Sequence, residues 1–556
     1  MTKISLPFYK VVWVLFYLLV FVFLLQHSFS YLDPDFGWHL RLGQEIASTG
    51  KVPTINYSNY TLEGFSWVDH EWLSNLTIYY VYNNLGYLTL NLFFCFIPLI
   101  VLFILNNFLN NYFNISLKKY LWPLILFESL SLVAVAPHLG VRIQEITWLF
   151  FVLLLVIILN YSKYRKWLVL WWLLPLFYLW ANLHGGFLLG LGILFMFIGL
   201  KVFERLVINQ KALSFLDRTT VFSWLEILMF VAFLLLAWVS TLLGPYGLSL
   251  YDFLSSYGNT FYFNHISEWL PQWAFPYQYW QFTYISVSLL AIYFWTRKIL
   301  KKKEIKLDLF AGLMFLFFLV LAIKSRRHFP LFFIVSFPLL FKLFISDILP
   351  VWKTKEERLT LKNRGLDIFI KFFIISTFLV VTANLALGIK FTQDPFQNFC
   401  EDKYRPGRRQ FLYPCQALAF IKSEPLFKNQ RLFNDFGWGG YLLWRYPEKQ
   451  LFIDGRMPQA DFKGRSILEE YFDFFDQDKL VDKLEEYNID LVLSRNPVGR
   501  LHLNAFEKSF MMINEDEINK DNELLDFLAS SSDWTLVYSD SVSLLYHRNE
   551  KNSNKE

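Results

Sequence analysis

The stretch YLDPDFGWHLRLGQEI, residues 31–46, sets Asp33, Asp35, His39 and Arg41 within nine residues. Two carboxylates at this spacing can hold Mg2+ or Mn2+ through oxygen, or one can take a proton from an acceptor hydroxyl as general base. In an extended segment both would face the same way, because strand side chains alternate with period two. DPD ahead of a helix beginning near Phe36 is also a good helix cap. The two roles are compatible, since a cap leaves carboxylate oxygens over. His39 and Arg41 are candidate contacts to a lipid phosphate.

Four further places carry polar groups beside apolar runs. They are WVDHEWLS (Asp69, His70, Glu71), APHLGVRIQE (His138, Arg142, Gln144, Glu145), NLHGGF (Asn182, His184) and KSRRHFP (Lys324, Arg326, Arg327, His328). Charges in or beside a bilayer are costly unless paired or solvated, so each is a functional candidate. Asp69 reads as the cap of a helix starting at His70. On that helix His70 and Glu71 would point about 100° apart, too far to share one ion. His138 and His184 read first as satisfied interfacial histidines, and Gly185, Gly186, Gly190 and Gly192 as close-packing positions. Headgroup anchoring is one reading of KSRRH. The other is an anion site, since arginine forks match phosphate oxygens and a phosphate at the outer leaflet implies a lipid phosphate. The chain holds no Walker motif, dinucleotide fingerprint, nucleophile elbow or zinc-type Cys/His array.

These groups need a membrane scaffold. The 556 residues are 55% hydrophobic, 20% aromatic and only 18% charged, too apolar for a string of soluble domains. Eleven apolar blocks have lengths suited to spanning, with cores near 11–29, 86–109, 120–136, 143–161, 167–182, 185–206, 222–243, 280–298, 308–323, 329–348 and 366–389. The first follows Lys3 and Lys10 with no small-residue cleavage site, and reads as a retained span. Lysine and arginine crowd alternate loops, as at Lys118 and Lys119, at Lys163, Arg165 and Lys166, and in RKILKKKEIK. The positive-inside rule then predicts a cytoplasmic N-terminus and an extracytoplasmic tail. On this topology KSRRH breaks the rule, all the polar clusters share the outer side, and charges fall only at span ends. The net charge of +5 records cytoplasmic anchoring and predicts no nucleic-acid partner.

The expected fold class is a polytopic α-helical membrane protein of about eleven spans, with a C-terminal extracytoplasmic α/β domain. Residues 1–389 form the core, including outside loops 30–85 and 244–279. Residues 390–548 form the α/β domain, and 549–556 a disordered tail. The first loop predicts two short helices on the membrane surface, over FGWHLRLGQEIAST and HEWLSNLTIYYVYNN. In the tail QLFID, IDLVLS, WTLVYSD and VSLLYHR predict strands, and QDKLVDKLEEYN an amphipathic helix. Cys95 lies in a span. Cys400 and Cys415 would close a loop worth about 3 kcal/mol in an oxidising compartment, and two free thiols remain the alternative.

An acidic motif in the first outside loop, polar groups at the outer ends of a polytopic core and an outside α/β tail together resemble the GT-C superfamily of membrane glycosyltransferases. The stretch YLDPDFGWHLRLGQEIASTGKVP with GFSWVDHEWLS is similar to bacterial members related to protein mannosyltransferases and aminoarabinose transferases. In the tail NDFGWGGYLLWRYPEKQLFIDGR resembles the oligosaccharyltransferase segment in which an aromatic, aspartate and glycine motif precedes a strand ending in an acid. That correspondence falls on Trp438, Gly439, Gly440 and Tyr441, with Asp454 and Arg456 beyond. The motif itself is not reproduced, so sequon recognition does not carry over. The resemblance implies an inverting transfer of a sugar from a polyprenyl-phosphate donor to a glycan, lipid or protein acceptor, at the outer face of a bacterial inner (plasma) membrane. Asp33 or Asp35 would be the base or hold Mg2+ or Mn2+. Substrate contacts would come from His39, Arg41, Asp69, His70, Glu71, Arg142, Glu145, His184, Arg326, Arg327, His328, Trp438, Tyr441, Asp454 and Arg456, with membrane lipids around. The rivals are a flippase of lipid-linked sugars, which would show polar groups at the bilayer midplane, and a non-catalytic envelope scaffold.

Overall fold

The structure is a computed structural model describing residues 8–207, 221–258, 260–274, 279–301, 308–348, 393–400, 412–497 and 522–549. The apolar block at 366–389 and residues 550–556 lie outside these. The other ten blocks fall on helices. These are α1 (Phe8–Ser30), α3 (Trp72–Asn111), α4 (Leu121–Val135), α5 (Gln144–Tyr164), α6 (Leu173–Leu183, after a 3-10 stretch from Trp167), α7 (Phe187–Val207), α8 (Trp224–Thr241), α11 (Tyr279–Lys301), α12 (Leu309–Lys324) and α13 (Phe329–Leu343). Among the described residues seven helices are long and apolar enough to cross a membrane, and Trp167–Leu183 and Leu309–Lys324 are shorter apolar helices. Their outward faces are themselves apolar: α8 exposes Leu225, Leu228, Leu235 and Leu236. Water would not tolerate such a surface on a monomer, whereas lipid does. The protein is an integral, polytopic helical membrane protein carrying a small C-terminal sheet.

By internal contact the chain divides into two compact units. Unit one comprises Met1–Ser30, Asn91–Gly244 and Ser267–Ile389; unit two comprises Tyr31–Leu90, Pro245–Ile266 and Lys390–Glu556. The sequence reading set both outside loops with the membrane core. By contact, most of the first loop and much of the second fold with the tail instead.

In unit one the packing is aromatic and aliphatic, for example Phe151 on Phe318 at 5.1 Å and Tyr284 edge-on to Phe329 and Phe332. Charge is not confined to span ends, however. Glu128 sits midway along α4, fully buried beside Asn106 of α3, whose amide donates to Tyr17 of α1 at 2.8 Å.

In unit two α2 (Phe36–Thr49) begins where DPD predicts and ends at Gly50, which adopts φ +67 and hydrogen-bonds back to Ile46. The second loop helix starts at Trp72, not His70, and ends at Gly86 (φ 82, ψ 170), a backbone state open to glycine that separates it from the helix running on to Asn111; the two together are α3.

The tail forms a four-stranded sheet in the order β1 (Leu432–Asn434), β4 (Leu491–Arg495), β6 (Ser543–Arg548), β5 (Trp534–Ser539), with β1 parallel to β4 and the rest antiparallel. A small hairpin pairs β2 (Asp461–Phe462) with β3 (Arg465–Ser466). The strand expected at QLFID makes only single bridges, Leu451 to Leu432 and to Asn59. QDKLVDKLEEYN is helical over Leu480–Glu486.

The first loop and tail of unit two are interlocked. Thr61 donates to Phe452 O at 2.6 Å, and Tyr60 to Leu432 O at 3.1 Å. Helix Gly439–Arg445 crosses α2 so closely that a Cβ on Gly37 would lie 2.1 Å from Gly440 O. Cys400 and Cys415 are disulfide-bonded, with Cα atoms 5.3 Å apart, which settles the pairing left open by the sequence.

Candidate active site

Asp33 and Asp35 do not project together from an extended segment. Residues 34 and 35 form a turn, with Asp35 at φ −79 and ψ −14, so the period-two expectation fails. The buried Asp33 carboxylate folds back to accept the Asp35 N–H at 3.0 Å. Asp33 thus closes a local turn ahead of α2, while Asp35, at the N-cap position, makes no side-chain capping bond. Asp35 is half-buried and reaches toward Gly455, where a Cβ would lie 2.4 Å from its Oδ1. A side chain at 455 would require Asp35 to move.

Behind this turn lies a buried relay. Asn75 Nδ2 donates to both Asp69 oxygens at 2.9 Å, which leaves Asn75 Oδ1 to accept from His39 Nδ1 at 2.7 Å. Burial lowers the His39 pKa to about 3, against the opposing Asn75 bond. Burial also raises Asp69 to about 7, opposed by hydrogen bonds from Asn75 and the Glu71 N–H. Both groups are therefore held neutral through mildly acidic conditions.

Their pH effects oppose. A raised Asp69 pKa means stability present below the unfolded value near 3.8 and lost as pH rises toward about 7. A lowered His39 pKa means stability lost as pH falls from 6.5 toward about 3. Each slope is about 1.4 kcal/mol per pH unit, and the two cancel between roughly pH 4 and 6.5. Asp69→Asn should therefore lose stability on acidification through that window, and His39→Gln should gain it, as read by denaturant titrations at successive pH values. Parallel slopes in the two variants would contradict the relay.

His70 and Glu71 precede α3 in a turn, so the helical 100° separation does not apply; His70 Nε2 comes within 3.5 Å of Glu71 Oε1, and the ring packs on Phe253 and Tyr257. Arg41 is half-buried and donates to Gln44 at 3.0 Å.

Trp438 and Tyr441 lie inside the packing. Trp438 is fully buried with Nε1 donating to Leu412 O at 2.8 Å, and Tyr441 packs on Phe396 and Tyr413. Asp454 and Arg456 form an ion pair at 2.8 Å with both side chains 2% exposed. Arg456 also donates to Asn56 and Asn59 at 3.0 Å and lies over the Trp67 ring. In this conformation these four present almost no surface to a ligand.

Unit one holds a second cluster. A small cavity is lined by His138, Arg142, Gln144, Trp148, Glu268, Arg326 and Arg327, so the arginines of two sequence motifs meet. Glu268, which the sequence reading passed over, joins them. Buried Arg142 donates to its Oε1 at 2.6 Å and Arg327 reaches its Oε2 at 3.4 Å. The backbone fixes this arrangement, since Arg326 N donates to Leu270 O and Arg327 N to Glu268 O. Arg327 also lies 4.9 Å from the Trp269 ring. Among the described lining residues three guanidinium groups meet one carboxylate.

Among the other residues named from sequence, Glu145 accepts the Gly140 N–H at 2.9 Å from within unit one. His138 meets Gln281 at 3.0 Å, and His328 packs against Trp269. His184 Nδ1 accepts from Gly186 N at 2.9 Å and contacts Thr147 Oγ1 at 2.7 Å, a satisfied histidine as its motif suggests. Gly186 and Gly190 sit against Thr147 and Trp180, as close-packing positions would, whereas a Cβ on Gly192 would meet open space, so it does not serve close packing.

For a divalent ion the donor set is thin. Asp33 and Asp35 turn to different partners, and no group of three or more His, Cys, Asp or Glu side chains suited to a metal occurs among the described residues. The residues present do not form a metal cage.

No protein-family model matches the chain, and no curated protein matches it. Among solved structures the chain is similar to the archaeal oligosaccharyltransferase AglB from Archaeoglobus fulgidus, in complex with an inhibitory peptide and a dolichol-phosphate. The identity is 11% and the TM-score 0.48, over 88% of this chain and 70% of that one, a likeness too loose to carry a functional inference.

Proposed function

We propose that the protein is a membrane glycosyltransferase of GT-C type, moving a sugar from a polyprenyl-phosphate donor to an acceptor at the extracytoplasmic face of a bacterial inner membrane. The observation that carries this is the meeting of Arg142, Arg326 and Arg327 in the wall of one cavity, the donor type that a phosphate leaving group needs. The resemblance of the Asp33–Asp35 stretch adds a carboxylate base. Asp35 takes that role because it is the more exposed of the two. In the reaction an acceptor hydroxyl oxygen bonds to the anomeric carbon from the face opposite the phosphate. The carbon–oxygen bond to phosphate breaks, polyprenyl phosphate leaves, and the hydroxyl proton passes to Asp35.

Glu268 occupies the position a phosphate would take between Arg142 and Arg327, so binding requires its displacement or a shift of the arginines toward the ligand. Mass spectrometry of envelope glycans and lipids in a deletion strain tests the reading. One sugar should disappear from one acceptor class and return with the wild-type gene; an unchanged profile overturns it. Buried Glu128 within α4 favours the flippase reading, which instead predicts accumulation of the untransported lipid-linked sugar.

A further inference from the structure

We propose that unit one binds an anionic phospholipid in a groove between α3 and α5, at the end of α5 opposite the arginine cavity. Two adjoining cavities share Ile104, Phe108, Tyr112, Val156 and Leu159 in their walls. The first is a narrow slot of about 70 Å³ between α3, α5, α12 and α13, closed by apolar side chains such as Leu155, Met314 and Leu339. Its acidic wall residue, Asp308, is turned to the Ala311 N–H as the cap of α12. The second, about 250 Å³, opens among Asn107, Asn111, Asn160 and Lys163.

Asn107 with Asn111 on α3, and Asn160 with Lys163 on α5, are four and three residues apart, so each pair shares a helix face. All four are exposed. Lys163 donates one of its three ammonium protons to Asn111 O at 2.6 Å, which leaves two for a ligand. An apolar slot running into an amide and ammonium rim matches an acyl chain beneath a phosphate diester. The depth also agrees. From Gln144, in the arginine cavity, to Lys163 the helix rises about 30 Å, one hydrocarbon thickness, so Lys163 lies at headgroup level in the other leaflet. A choline headgroup would bring its own cation toward Lys163, whereas glycerol or serine phosphodiesters keep a net negative charge. The site needs no part of the transfer reaction.

Native mass spectrometry of the full-length protein, offered equal amounts of phosphatidylglycerol and phosphatidylcholine, tests this. The wild type should retain phosphatidylglycerol about fivefold over phosphatidylcholine. The preference should vanish in Lys163→Gln, and Leu155→Trp, which fills the slot, should lower retention of both lipids. Lys118→Gln with Lys119→Gln, at the same end of the unit but outside the groove, should keep the preference. Equal retention of both lipids by the wild type overturns the proposal, as does an equal loss of preference in the Lys118 and Lys119 control. Lys163 is exposed and the Lys163→Gln amide can still donate toward Asn111 O, so its unfolding temperature should stay close to that of the wild type.

Discussion

Asp35→Asn should lower sugar transfer by about 10²–10⁴-fold, the range a positioned general base contributes, with the unfolding temperature little changed. The asparagine keeps the size and removes the proton acceptor. Asp33→Asn is the informative companion, because an amide oxygen can still accept the Asp35 N–H that Asp33 holds at 3.0 Å. It should therefore keep transfer within several-fold of wild type. Turnover measured in vesicles carrying a polyprenyl-linked sugar separates the outcomes. Loss in Asp33→Asn alone would move the base to Asp33, and full turnover in both variants would remove carboxylate chemistry from the mechanism.

The second large effect is on stability. Arg456→Ala should destabilise unit two by about 3–5 kcal/mol, the usual result of removing one partner from a buried pair. For a unit of this size that is a fall of roughly 6–20 °C in unfolding temperature. In the wild type, burial pushes the Asp454 carboxyl up, but Arg456 more than offsets this and holds it below the usual range. The pair's contribution is thus present at neutral pH and lost as pH falls through the lowered pKa. Without the Arg456 guanidinium, burial is opposed only by hydrogen bonds from the 456 N–H and from Asn59, and protonating Asp454 relieves it. The defect should shrink on acidification from pH 7 to about 4.5, and a defect that grows instead would place the energetic role of Arg456 elsewhere, in Asn56, Asn59 or Trp67.

The sequence carried the helices well, for reasons visible at particular residues. Helix α2 was legible because Pro34 and two aspartates punctuate its start and Gly50 its end. Strands β5 and β6 were legible because each runs six residues with β-formers. Strand β1, three residues long, gives no periodic signal. Glu268 was invisible for a different reason. It is one carboxylate in an aromatic loop, and its partners Arg142 and Arg327 stand 126 and 59 residues away. Asn75 carries no charge, so nothing in its local sequence announces that it joins His39 to Asp69. Asp454 and Arg456 read as a polar pair beside a strand, but only packing decides whether such a pair faces solvent or each other. Arg326 and Arg327 stood out because KSRRH runs against the charge bias of the other loops, whereas Arg142 was a candidate substrate contact only through the family resemblance, and its place beside them is visible in the fold alone.

The glycine contact between Gly37 and Gly440 also constrains how the chain is made. The two positions are 403 residues apart in the sequence, and at about 5–20 residues per second the ribosome needs roughly 20–80 s to reach the second. During that interval α2 has been synthesised but lacks the helix against which it packs. Unit two must therefore complete late, by a long-range closure that no local folding step can replace. Until then the first loop lacks its packing partner, and a chain truncated before residue 439 should leave it open to proteolysis.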